Sequence, residues 1–171
     1  MTCAQCSFCY ELLTVEEIPA RLRSLGPGFR DALADVDPVV ASRRPGPTVW
    51  SALEYACHVR DVLLVQRDRA VLAQVEDNPS FARMYRDERV VLCRYDAHAL
   101  PDVLGQLDMA AELCATVFGG LDRTAWARRL VYNWPAATGR DLAWLGRHTV
   151  HEGDHHLTDV RDVLAAVSAI P

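Results

Sequence analysis

Arg147-His148-Thr149-Val150-His151-Glu152-Gly153-Asp154-His155-His156 holds four of the six histidines of this chain within nine residues. It falls inside a segment, Asp141 to Val167, that reads as one long helix. A helix turns about 100° and rises ~1.5 Å per residue, so His151 and His155 are only ~40° apart around the axis and ~6 Å apart along it. Their imidazoles can therefore close on one cation, as i, i+4 histidines do in helical metal sites. His148 lies one turn earlier on nearly the same face, and His156 is predicted to point well away from it.

Two histidines make half a site. His151-Glu152-x-x-His155 also fits the H-E-x-x-H pattern of zinc proteases, in which the Glu is the general base. Those enzymes take their third ligand from downstream, and here neither His nor Glu occurs after His156. The third ligand is therefore expected upstream, with His58 the best candidate. Placed on a helical wheel, His58 shares its side with Tyr55, Val62, Val65 and Leu72, while Arg60, Arg67 and Gln74 form the opposite, solvent side. His58 is expected to point inward, with Glu54 and Asp61 one turn to either side as carboxylate partners that fix its tautomer.

The chain has 171 residues, half of them hydrophobic, enough for one compact domain with a substantial core. A net charge of -5 argues against a nucleic-acid surface, which needs clustered positive charge. No apolar run approaches the ~20 residues of a membrane span, and the opening Met-Thr-Cys-Ala-Gln-Cys lacks the basic-then-apolar order of a leader. A cytoplasmic protein is the expectation, so the six cysteines read as thiols or metal ligands before disulfides. Every basic residue outside the histidines is Arg, the usage of a GC-rich genome.

Cys3-x-x-Cys6-x-x-Cys9 opens the chain. This spacing lets two or three thiolates wrap one zinc through a tight turn, each ~2.3 Å from the metal, but a four-coordinate site needs further ligands. The alternative is a tail with free thiols. From Thr14 to Val36, Ile18, Leu22, Leu25, Phe29 and Leu33 recur at helical spacing, with Gly26-Pro27-Gly28 expected to kink or break the helix. Asp37 to Pro47 reads as a loop. A second helix runs from Trp50 to about Val75, opened by a Ser51-x-x-Glu54 capping box. Glu76 to Ala97 reads as a long connection in which Tyr85 and Arg89 can either line a pocket or sit in solvent. Leu100 to Leu121 is a third helix ended by Gly119-Gly120, and Asp122 to Gly139 an irregular segment or short extended pair. In the fourth helix the clearest apolar stripe, Leu142, Leu157, Val160 and Leu164, lies opposite His151 and His155. An exposed histidine ladder therefore stands against a polar pocket walled by Trp144, Thr158 and Asp162.

The stretches Trp50-Ser51-Ala52-Leu53-Glu54-Tyr55-Ala56-Cys57-His58-Val59-Arg60-Asp61 and His151-Glu152-Gly153-Asp154-His155-His156-Leu157-Thr158-Asp159-Val160 together resemble the DinB/YfiT-like superfamily of metal-binding four-helix bundles. The similarity covers about residues 14–168. It extends to an actinobacterial branch with a Cys-x-x-Cys-x-Phe opening, which Cys3-Ala4-Gln5-Cys6-Ser7-Phe8 matches except that Ser7 stands where Gly is usual. The implied fold is all-α, an up-down four-helix bundle over residues 14–171 preceded by a cysteine knuckle at residues 1–13. The implied site is His58, His151 and His155 around zinc or nickel with water in the open position. Characterised relatives include thiol S-transferases and a maleylpyruvate isomerase that use mycothiol, bacillithiol or glutathione.

Three functions follow. The first is a metal-dependent transferase joining a low-molecular-weight thiol of the mycothiol type to a small electrophile, with Asp61, Glu54 or Glu152 moving protons. The second is a non-catalytic metal-binding or stress-response protein, in which Cys3 and Cys6 hold a structural zinc or join the histidines in one closed site without room for substrate. The third is a hydrolase using the H-E-x-x-H stretch. The expected partners are a small thiol and an electrophile, with no nucleic acid and no membrane, and homodimerisation is left open.

Overall fold

A computed structural model describes residues 2–169. In chain order it comprises α1 (Ile18–Leu33), α2 (Pro38–Ser42), α3 (Ala52–Val75), β1 (Ser80–Phe81), α4 (Arg86–Leu92), α5 (Leu100–Gly119), β2 (Arg129–Asn133), β3 (Ala137–Asp141) and α6 (Leu142–Ser168). The four long helices form a bundle. Their buried stripes meet in a core that includes Leu22, Phe29, Leu53, Leu63, Leu107, Phe118 and Leu145, none more than 2% exposed.

Local chemistry sets the ends of these helices. Ser51 Oγ accepts from the Glu54 N–H at 3.2 Å while Glu54 Oε2 accepts from the Ser51 N–H at 2.7 Å, so the expected capping box starts α3. Asp141 Oδ1 accepts from the Trp144 N–H at 2.7 Å and starts α6. Gly26-Pro27-Gly28 does not interrupt α1, which runs through it. A Cβ at Gly26 would collide with Asp108 of α5, and one at Gly28 would lie 3.1 Å from Leu157 of α6. The glycines thus let α1 approach two neighbours closely, and packing outweighs the backbone donor that Pro27 lacks.

The order of helices departs from an up-down bundle. Both α1 and α3 pack on α5 and on α6, so the helices run around the bundle as α1, α5, α3, α6, with chain neighbours α1 and α3 across a diagonal. Short loops would force consecutive helices to be adjacent. Here the connections, residues 34–51, 76–99 and 120–141, are long enough to cross the bundle, and they carry structure of their own. The first contains α2, capped by Asp37, whose Oδ1 accepts from the Val39 N–H at 2.8 Å.

The fold is also not purely helical. β1 pairs in parallel with β2, which pairs antiparallel with β3, placing Ser80 opposite Val131 and Tyr132 opposite Thr138. The connection through α4 folds back over α3. Arg60, expected on the solvent face, is consequently 7% exposed and bound to Asp61 and Gln106. No helix among the described residues is long and apolar enough to cross a membrane.

Candidate metal centre

A cavity of about 230 Å³ opens between α3, α6, the sheet and the N-terminal segment. α3 contributes His58, α6 contributes His148, His151, Glu152, His155 and His156, and Cys3 closes one side. The histidine ladder therefore faces a polar pocket. Thr158 and Asp162 do not line it, and Trp144 supports it from behind by stacking on His148 with ring centroids 4.6 Å apart.

Possible metal donors around this wall fall into four overlapping groups; His148, His151 and Glu152 form one and His155, His156 and Asp159 another, and the remaining two share no residue. One nitrogen each of His58 and His156 and one Glu152 oxygen lie within 4.8 Å of one another, as do donors from Cys3, Cys6, His151 and His155. The expected trio of His58, His151 and His155 does not form such a group. His156, predicted to point away, is 6% exposed and sets its ring edge-on to His58 at a centroid distance of 4.9 Å. The reason lies in the helical wheel. Residues 151–156 contain two interleaved i, i+4 pairs, His151/His155 and Glu152/His156, rotated by about 100° from each other. The buried stripe of α6 passes through Thr149, Gly153, His156 and Val160, so it is the second pair that turns toward α3. The first turns toward the N-terminal segment.

The His58 group is prepared for a cation. His156 Nδ1 lies 2.8 Å from Asp159 Oδ2, so the ring donates there and turns Nε2 toward Glu152 Oε2 at 3.8 Å, the nitrogen that can bind a metal once it has lost its proton. His58 Nδ1 is buried with no hydrogen-bond partner among the described residues. Such an orphan is costly unless something else binds it. Burial holds the His58 pKa down to about 3, so the imidazole is neutral and one ring nitrogen offers a lone pair. Glu152 is desolvated, which favours its acid form, but the hydrogen bond to His156 and the neighbouring His148 and His58 outweigh burial and keep it a carboxylate well below its usual range. Burial alone would lower the His156 pKa, but the hydrogen bonds to Asp159 and Glu152 outweigh it and hold it above its ordinary value, so this ring gives up a proton as a cation binds. Two imidazoles and one carboxylate then suit a divalent zinc or nickel ion.

Tyr10, which sequence reasoning passed over, joins the two groups. Its hydroxyl lies 3.0 Å from His151 Nδ1 and 2.9 Å from His148 Nδ1. One hydroxyl can donate once and accept once here. If His151 Nδ1–H donates to the Tyr10 oxygen, Tyr10 donates to His148 Nδ1, and His148 Nε2–H points to Glu152 Oε1 at 3.7 Å. Burial lowers the His148 pKa to about 4 and raises that of Tyr10, which keeps both neutral as this chain requires.

Glu54 and Asp61 do not line the cavity. Both Glu54 oxygens receive Arg44, with Nε to Oε2 at 2.8 Å. Asp61 accepts from Tyr95 at 2.7 Å and from Arg60 and Arg89. These carboxylates anchor connections to α3 and do not partner His58 as expected. Tyr85 does line the cavity, beside Arg83 and Arg86, and Arg89 instead ties α4 to α3. The signals for what was missed were present as Glu152-x-x-x-His156 and His156-x-x-Asp159, one helical turn each.

Comparison with known proteins agrees with this architecture. No curated protein matched by sequence at a significant level. Among solved structures, the chain is similar to YfiT from Bacillus subtilis, described as a probable metal-dependent hydrolase with an unusual four-helix bundle topology. The TM-score is 0.78 at 13% identity, covering 87% of this chain and 85% of that one. A family model for the DinB superfamily matches residues 21–160, from α1 to Val160 just beyond the histidine cluster, and the chain belongs to the DinB superfamily.

Proposed function

We propose that the chain is a metal-dependent transferase that joins a low-molecular-weight thiol to a small anionic electrophile, with His58, Glu152 and His156 holding a divalent cation in the cavity wall. The observation that carries this is the convergence of those three donors on a cavity of small-molecule size, with one buried imidazole nitrogen unpartnered. A cation bound there supplies the means to lower the pKa of a thiol or water, so that the nucleophile exists at neutral pH.

The residues of the chain do the rest. Asp159 orients His156 through Nδ1, and the Tyr10–His148 chain orients Glu152 from the other side. Arg83 and Arg86 stand at the far wall with their guanidiniums over Trp134, 4.5 and 5.9 Å from the ring centroid. Arg83 has no carboxylate partner among the described residues, and a guanidinium held flat by an aromatic ring is suited to binding a substrate carboxylate. Tyr132 and Trp134 line the same space with apolar surface that displaces water. The Lys-free, Arg-rich composition, typical of GC-rich genomes, supports mycothiol as the thiol.

Hydrolysis is the second reading. A donor set of two histidines and one glutamate also occurs in zinc hydrolases, and YfiT is described as a probable one. Product formation from an electrophile with and without mycothiol separates the two. Thiol-dependent conjugation, lost together with the metal in His156→Ala, is the expected result. Arg83→Ala is expected to raise KM for an anionic electrophile by roughly 10- to 100-fold, the worth of a hydrogen bond to a charged group. Turnover without thiol favours hydrolysis, and a metal-loaded chain inactive in both assays leaves the non-catalytic metal-binding reading.

A further inference from the structure

The second donor group is not used by the proposed reaction. Cys3 and Cys6 precede the residues matched by the superfamily, yet they meet His151 and His155 of α6 with all four donor atoms within 4.8 Å of one another. Cys3 Sγ lies 4.0 Å from His155 Nδ1.

The knuckle is built to present its sulfurs. The Ser7 N–H donates to the Cys3 carbonyl at 3.0 Å and the Cys3 N–H to the Phe8 carbonyl at 2.9 Å, closing a tight turn in which Ser7 takes a left-handed φ of 59°. Within that turn the backbone N–H groups of Cys6 and Gln5 favour the Cys3 thiolate, while burial pushes the Cys6 thiol up and the Phe8 N–H only partly offsets it. Turns of this kind wrap metal-bound cysteines, because amides aimed at sulfur offset its negative charge.

The histidines are prepared as well. His151 Nε2 is buried and has no hydrogen-bond partner among the described residues, while Nδ1 of the same ring is held by Tyr10. His155 places Nε2 3.7 Å from Asp159 Oδ2, which leaves Nδ1 to face Cys3. Each imidazole thus has one nitrogen near a partner and the other left for a ligand, that of His155 facing Cys3, the arrangement of a metal-ligating histidine.

We propose that Cys3, Cys6, His151 and His155 form a second metal site, a closed tetrahedral zinc centre that staples the N-terminal segment to α6. Zinc with two thiolates and two imidazoles has bond lengths of about 2.3 and 2.0–2.1 Å, hence donor separations of roughly 3.3–3.8 Å. Small side-chain movements bring the present donors to that spacing. Each thiol loses its proton to solvent as the metal binds, and no oxidant or reductant is involved. All four positions are filled by protein, so this ion is structural, and it fixes Cys3 as a wall of the cavity served by the His58 group. Tyr10 couples the two, because it orients His151 of one group and, through His148, Glu152 of the other.

The full-length protein loaded with cobalt(II) in place of zinc tests this. The expected result is a near-ultraviolet thiolate-to-cobalt charge-transfer band with the visible bands of a tetrahedral ion. That band is lost in the Cys3→Ser/Cys6→Ser double variant and retained in Cys9→Ser and His58→Ala, neither of which touches the four donors. Metal content should fall from two equivalents to one in the double variant, whose helical circular dichroism is expected to persist because neither cysteine belongs to the bundle core. Absence of the charge-transfer band from folded, cobalt-loaded wild type overturns the proposal, as does its survival in the double variant. A band present in a chain without thiol-transfer or hydrolytic activity overturns the proposed function and leaves the staple standing.

Discussion

Ser7 occupies a backbone position in the knuckle where a side chain is a burden. Its φ of 59° lies in the left-handed region, where the Cβ of an L-residue crowds the neighbouring carbonyl, and no hydrogen bond from its hydroxyl to the described residues offsets this. The turn needs that conformation, because the N–H of Ser7 must reach the Cys3 carbonyl while the chain reverses to bring Cys6 beside Cys3. Glycine adopts it freely. Ser7→Gly is therefore expected to strengthen the knuckle by about 1 kcal/mol. Part of that gain is offset by the greater freedom of glycine in the unfolded chain. The check is competition for cobalt against a chelator of known affinity. A tighter cobalt–thiolate complex is expected, and a weaker one would mean that the turn is not limiting.

The helix α6 is the element on which both donor groups depend, and Gly153 sets its distance from α1. A Cβ there would drive into the side chain of Leu25, which is itself 2% exposed and has nowhere to go. Gly153→Ala is expected to cost 1–3 kcal/mol, typical of overpacking, despite the better helix propensity of alanine. Urea denaturation measures it, and an unchanged midpoint would show that α1 yields easily. Because Gly153 follows Glu152 and precedes His155, a shift of α6 by even part of an ångström would move both sets of donors. The same helix shows what a sequence makes legible. Its existence, its start near Asp141 and its clustering of possible metal donors follow from spacing alone, as does the inward direction of His58 on α3. Which interleaved pair on α6 faces His58 does not, because their faces differ by only about 100° and the choice depends on where Leu25 and Ile18 of α1 lock the rotation. The burial of Arg60 escapes the wheel for a related reason: a helical wheel shows the sides of a helix but not what a long connection will lay across them.

At the scale of the molecule, the diagonal order α1, α5, α3, α6 makes α6 the meeting point for distant parts of the chain. Cys3 and Cys6 reach it from the N-terminal segment and His58 from α3, so each metal centre would close a loop spanning most of the sequence. Side chains that share a site only in the native bundle bind metal much more tightly there than in the unfolded chain, and the difference appears as stability. At a free metal concentration one hundred times Kd, one site adds about 2.7 kcal/mol. For a chain of this size that corresponds to a rise in Tm of roughly 5–10 °C. Chelator treatment is therefore expected to lower Tm of the wild type by more than that of either His156→Ala or Cys3→Ser/Cys6→Ser, each of which retains one site. The losses in the two variants should not simply add up to the wild-type loss, since Tyr10 and His148 link the sites and the order imposed by one metal orients a donor of the other. Differential scanning calorimetry with and without chelator measures all three proteins on the same scale. Equal losses in wild type and the double variant would mean that the cysteines contribute no metal-linked stability, whereas an additive pattern would separate the two centres and remove Tyr10 as the bridge between them.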